Sequence, residues 1–183
     1  WDSPIIMGLL LFAALNLGLF VRAEFRAEDP VLPPALFRHR IFAGAMAASL
    51  TVTISFVVIT VFVPLLVIGA KGESATTSAI PLMAEALGIA IGANLAGQIL
   101  SRFGYARELS ATGLALTAVT LWSIGAIGID ISIGQLAIMS LVMGAGIALA
   151  FTSFTVQVQN SMPESVLGVV TTSMQFARAF SMA

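Results

Sequence analysis

A bundle of membrane-spanning α-helices is the fold this sequence predicts, and three observations predict it. Hydrophobic residues make up 58% of the chain and charged residues only 9%, against about 25% charged in a soluble domain. The apolar residues gather into long runs, separated by short stretches that hold nearly all the charge. Leu, Ala, Met and Gly dominate those runs, and none shows a period-2 pattern long enough for barrel strands. So few charges cannot clothe a water-soluble sphere. Hydrocarbon accepts an apolar exterior, provided that backbone groups bond within helices.

A spanning helix needs roughly 20 mostly apolar residues, since each adds about 1.5 Å to a path of about 30 Å. Six stretches qualify, the last of them truncated: approximately 4–21, 42–68, 79–100, 110–129, 134–157 and 166–183. The first reads as a span rather than a signal peptide, because no basic region precedes it, only Asp2. Pro30, Pro33 and Pro34 punctuate the long loop that follows. The second carries Ser49, Thr51, Thr53, Ser55 and Thr60, and Lys71-Gly72-Glu73-Ser74 breaks it from the third. The third holds one carboxylate, Glu85, and a GxxxG pair, Gly88 and Gly92, continued by Ala96. In the fifth, Gly144 and Gly146 lie beside Ala145 and Ala148. Such small residues let backbones approach closely where lipid offers no hydrophobic drive for association. Met162-Pro163-Glu164 precedes the sixth, whose one cation is Arg178. The chain opens on Trp1 rather than Met and stops inside an apolar run, so it is expected to be cut at both ends.

Several function classes are excluded at this level. A formal net charge of −1 gives no footing for nucleic acid. With no cysteine and one histidine, neither disulfides nor a metal centre are expected. That histidine, His39, lies between Arg38 and Arg40 in a loop and reads as solvated. No nucleophile–base pair, phosphate loop or metal-ligand spacing occurs, so no enzyme and no cofactor is expected.

The basic residues set the orientation. Arg22, Arg26, Arg38 and Arg40 lie in 22–41, and Arg102 and Arg107 in 101–109. Six of the eight Lys and Arg residues thus fall in alternate loops, with only Lys71 in the loops opposite. The positive-inside rule makes the Arg-rich side cytoplasmic. The 160–165 loop belongs to the same side by alternation, though it has no Lys or Arg.

The loops also carry a family likeness. Glu24-Phe-Arg-Ala-Glu-Asp-Pro30, followed by Leu36-Phe-Arg-His-Arg-Ile-Phe42, resembles the linker of the fourteen-helix drug:proton antiporters in the major facilitator superfamily. Gly97-Gln-Ile-Leu-Ser-Arg102-Phe-Gly104-Tyr is similar to that superfamily's cytoplasmic G-x-x-x-D-R-x-G-R signature, in its weaker second copy. Gly144-Ala-Gly146, Gln159, Pro163, Gly168 and Arg178 are similar in order and spacing to the family's late helices. The resemblance covers essentially all 183 residues. It implies a partial major facilitator fold, the eighth to thirteenth helices of fourteen, whose partner is the missing N-terminal half with the main proton-coupling acids. It further implies that 97–107, with Gly97, Arg102, Gly104 and Arg107, is an inner-face gate. Ser101 stands where the signature has an acid, and Tyr105 where it has a second base, so the charge lock must be weaker or use Glu108.

Candidate pathway residues follow from polarity at depth. Glu85 lies about six residues, or about 9 Å, into its span. Ionisable groups at such depth face a cavity or a partner by default, although this one can also reach the outer water or pair structurally. Arg178 keeps its proton, and it serves either as a fixed structural cation or as a substrate contact. Thr51 and Ser55 share a helix face at i, i+4, and either line a cavity or bond their own i−4 carbonyls. Gln157 and Gln159, interleaved with Phe151 and Phe154 upstream, suit a cavity for amphipathic organic molecules.

The function expected is proton-coupled export of small amphipathic or drug-like molecules across a bacterial inner membrane, by alternating access. The proton is then the coupling ion, and the partners are the lipid bilayer and a small organic substrate. A major-facilitator uptake carrier, and a non-transporting membrane sensor or scaffold, are the alternatives. The topology itself is testable with single cysteines at Ala27, Ser74 and Glu108 in the full-length protein, treated in intact cells with an impermeant thiol reagent. Only the Ser74 position should react, and labelling at Ala27 without permeabilisation would reverse the orientation.

Overall fold

A computed structural model describes residues 4–24, 26, 34–163 and 166–182 of the chain. Most of the Glu24–Pro30 linker run, Pro33, Glu164 and Ala183 lie outside the described residues. The architecture is all-helical, as expected. Helix α1 covers Pro4–Glu24, α2 Arg40–Pro64, α3 Ala75–Phe103, α4 Ala106–Ile127, α5 Ile133–Ser161 and α6 Leu167–Met182. Short 3₁₀ turns at Pro34–Arg38 and Gly128–Asp130 precede α2 and α5, and α2 continues into a π-helical turn over Leu65–Ala70. Four of these elements are long and apolar enough to cross a membrane: Arg40–Ala70, Ala75–Phe103, Ala106–Asp130 and Ile133–Ser161. α1 holds a shorter apolar stretch, Pro4–Phe20, and α6 has 16 residues.

Capping chemistry sets ends that hydropathy alone misplaces. α3 begins four residues before the expected 79, because Ser74 accepts a hydrogen bond from the Thr77 N–H at 3.1 Å. α5 begins with a capping box, in which Ser132 and Gln135 satisfy each other's backbone N–H groups. It then runs past 157 to Ser161, so Gln157 and Gln159 are helical.

α5 is the central element and packs against α2, α3, α4 and α6. Two of its faces are built for backbone contact. Towards α3, Gly144 lies on the Glu85 carbonyl, while Gly88 meets the Leu141 carbonyl and Gly92 the backbone of Ala145. Towards α4, Gly113 and Gly146 face each other, with Ala150 against Gly113. α3 and α5 run parallel, since Gly88 meets Leu141 and Ala96 packs with Leu149 further along. α4 runs antiparallel to α5: Gly113 meets Ala150, and Ala106 meets Gln157. The Lys71 ammonium donates to the Ile129 carbonyl at 2.7 Å and ties the α2–α3 connection to the α4–α5 connection. α1 shows exposed Leu9, Leu11, Phe12 and Leu19, a surface suited to a hydrocarbon medium, and its Phe20 ring stacks on Phe176 at 5.6 Å.

A methyl group at Gly144 would overlap the Glu85 carbonyl, and backbone cannot step aside as a flexible side chain can. Gly144→Ala should therefore lower the thermal stability of the full-length protein in detergent, by about 1–3 kcal/mol on the scale of overpacked cores. Gly125→Ala, where nothing lies within 4 Å, should cost nothing. Equal melting temperatures for both variants would remove the backbone contact from the account.

Candidate functional site

Four helices line an open cavity of about 190 Å³. Val52, Thr53 and Phe56 come from α2, Ile89 and Ala93 from α3, Ile147, Ala148, Phe151 and Thr152 from α5, and Arg178 from α6. Helical spacing explains the selection. On α3, Ile89 and Ala93 are one turn apart, on the stripe that Glu85 begins. On α5, Ala148 and Thr152 continue a stripe that starts at Ser140 and passes through Gly144. The glycine contact at Glu85 and Gly144 brings these two stripes together beside the cavity.

Arg178 is the one charged residue in the lining. Its guanidinium carbon sits 4.4 Å from the centroid of the Phe151 ring, a cation–π geometry. Among the described residues no carboxylate pairs with it. Glu85 is 3% exposed, and one of its carboxyl oxygens has no hydrogen-bond partner. Ser140, on the facing stripe, is wholly buried and its hydroxyl is also unpartnered. Two polar side chains without partners thus begin the two stripes whose continuations line the cavity.

The other sequence-designated residues are placed differently. Thr51 is exposed and its hydroxyl donates to the Ala47 carbonyl at 3.0 Å. Ser55 is buried and donates to the Thr51 carbonyl at 2.9 Å. Both follow the i−4 pattern that satisfies hydroxyls inside spans. Gln157 donates from Nε2 to the Ala106 carbonyl at 2.9 Å and to Ser110 Oγ at 3.0 Å, clasping α5 to the start of α4. Gln159 is exposed near the end of α5. None of the four lines the cavity. Conversely, the sequence reading did not single out Ile89, Ala93 or Ser140, although counting fours from Glu85 along α3 reaches the first two.

The 97–107 segment forms the end of α3, a tight turn and the start of α4. Gly104 closes α3 in the left-handed region, at φ 69°, and its N–H reaches the Leu100 carbonyl at 3.1 Å. Gly97, Arg102 and Arg107 are exposed. The Ser101 hydroxyl turns back on the Gln98 carbonyl at 3.0 Å, and Phe103 and Tyr105 stack at 5.8 Å. Among the described residues no ion pair joins Arg102, Arg107 and Glu108.

With the bundle in place, the relatedness of the chain is informative. The model of the Major Facilitator Superfamily matches residues 3–183. The chain belongs to that superfamily. Members named among its relatives are transporters, not enzymes. An MFS-type transporter of Mycobacterium tuberculosis, Rv1877, is 32% identical over 178 residues, which is 97% of this chain and 26% of the relative. The multidrug transporter protein MdtP of Bacillus subtilis is 28% identical, over 98% of this chain and 33% of its own. The tetracycline resistance determinant of Streptomyces rimosus is 27% identical, over 92% and 49%. The chain therefore spans between a quarter and a half of the length of these superfamily relatives. It is a multi-pass membrane segment of a transporter family.

The turn at Gly104 gives the prediction for this region. Gly104→Val forces a branched side chain into the left-handed region, at a cost of roughly 1–3 kcal/mol, and should disturb the α3–α4 connection. Arg102→Ala leaves the fold intact, because Arg102 makes no described contact. If 97–107 is a gate, both variants of the full-length protein should lose most transport at normal expression, and unchanged transport by both would remove that role.

Proposed function

We propose that this chain forms one wall of a proton-coupled exporter of small amphipathic organic molecules in a bacterial inner membrane, working by alternating access. One observation carries the reading: a cavity with aromatic and hydroxyl walls and a single cation, beside a buried carboxyl that begins one of its stripes. Apolar walls with a few polar groups suit a small organic ligand. Similarity to proteins named as a multidrug transporter, a tetracycline resistance determinant and a tetracenomycin C resistance and export protein supports the export direction. Carriers of this kind rock about a central site so that it opens to each side in turn.

Glu85 is the carboxylate buried within these spans, and it can take up and give away a proton. A proton there changes the charge beside the cavity, and thereby the balance between conformations that bury or hydrate the carboxyl. The segment 97–107 acts as the inner-face gate in this reading. Thr51, Ser55, Gln157 and Gln159 then support the helices around the pathway rather than touching the substrate.

The test is Glu85→Gln in the full-length protein, reconstituted in proteoliposomes with an imposed pH gradient and a panel of fluorescent amphiphiles. Gln keeps the shape and cannot titrate. The groups facing Glu85 are few: α5 contributes no charged residue, α2 only Arg40 at its far end, and α6 Arg178. A coupling role predicts that binding survives while gradient-driven export falls at least tenfold and loses its dependence on pH near neutrality. Poor folding rescued by neutralising Arg178 would instead reveal a structural pair. Normal export across the pH range would place Glu85 outside the pathway.

A further inference from the structure

The cavity's charge says what kind of molecule completes it. Arg178 carries a permanent positive charge and five N–H donors in a planar fork. In this structure the guanidinium carbon sits 4.4 Å from the centroid of the Phe151 ring, a contact that uses none of the N–H groups as hydrogen-bond donors to an oxygen. Among the described residues no acceptor takes them. The remaining polar groups of the lining are hydroxyls, Thr53 and Thr152, and Thr53 already donates to the Ser49 carbonyl at 2.9 Å. A charge facing a mostly apolar cavity without a counter-ion is costly, and a bidentate carboxylate is the geometry that satisfies an arginine fork best.

The rest of the lining fits the body of such a ligand. Phe56 from α2 and Phe151 from α5 present rings, and Val52, Ile89, Ala93, Ile147 and Ala148 close the space with aliphatic surface. A cavity of about 150 Å³ is known to accept benzene, so about 190 Å³ holds one aromatic ring with a short substituent. A cation of the same size would be set against Arg178 in a medium that screens charge poorly.

We propose that the cavity binds the acidic aromatic end of an amphipathic molecule, an aryl carboxylate or a comparable aromatic anion, with Arg178 as its anion ligand and Phe56 and Phe151 as its ring walls. This rests on the carrier reading above and adds the substrate class. It assigns Arg178 a role in selecting charge sign, which a fixed structural cation would not have.

The experiment uses the full-length protein and two probes matched in ring and chain, radiolabelled phenylacetate and 2-phenylethylammonium. Binding is measured by equilibrium dialysis, and transport of the fluorescent amphiphile panel is followed in parallel. The unaltered protein should bind phenylacetate at least tenfold more tightly than the ammonium probe. Arg178→Gln should weaken phenylacetate binding roughly tenfold to a hundredfold, the range of hydrogen bonds to charged groups, and erase the preference. Arg178→Lys keeps the charge but loses the fork, so it should retain the preference for the anion at reduced affinity. If Arg178→Gln does not fold, the two probes on the unaltered protein and on Arg178→Lys decide the matter. Equal or tighter binding of the ammonium probe overturns the anion assignment, as does binding of neither probe by a protein that still transports other amphiphiles. A protein that binds neither probe and transports no amphiphile overturns both this assignment and the carrier reading.

Discussion

α3 and α5 touch through their backbones, with Gly144 against the Glu85 carbonyl and Gly88 and Gly92 against the turn from Leu141 to Ala145. In a bilayer, lipid tails solvate leucine as well as a protein core does, so packing at close range has to do much of what burial does in water. Helices that meet at glycine gain dispersion contacts along their whole crossing, and the second face of α5 repeats the device against Gly113 of α4. The position of the α3 and α5 residues around the cavity follows from this. The crossing sets the stripes from Glu85 to Ala93 and from Ser140 to Thr152 in register, and it holds Glu85 in protein rather than at a lipid face.

The hydroxyl groups show how the remaining polarity is managed. Thr51, Thr53, Ser55, Thr117 and Thr155 all donate to the carbonyl four residues back, so they ask nothing of neighbouring helices. Ser49, Ser140, Ser153 and Glu85 do not follow this economy, and each leaves a buried oxygen without a partner. Burying an unpartnered polar group works against stability. Two of the four, Glu85 and Ser140, stand at the same end of the cavity walls.

Much of this was legible in the sequence. Long apolar runs and the charge between them placed the helices, and the glycines at 88, 92, 144 and 146 marked the faces that touch. Hydropathy could not find the true ends, because Ser74, Ser132 and Gln135 act through directional hydrogen bonds rather than through polarity. Gln157 shows the other limit. A half-buried amide looks like a ligand contact until its partner is known, and the partner, Ala106, is 51 residues away in the chain. The cavity was hidden for the same reason: its lining draws on four helices, and only Glu85 and Arg178 betray it by being ionisable in an apolar run.

The cation–π contact between Arg178 and Phe151 has a further meaning once the packing is considered. α3 and α4 are each clamped to α5 through glycine, whereas α2 and α6 rest against α5 through ordinary side chains. Arg178 belongs to the second group and Phe151 to the first, so the guanidinium lies across a seam between a stiff triad and a looser pair. Side-chain interfaces of the looser kind permit the small sliding known as shear. The cavity lies on that seam, so a slide of α2 and α6 along the triad would change its volume.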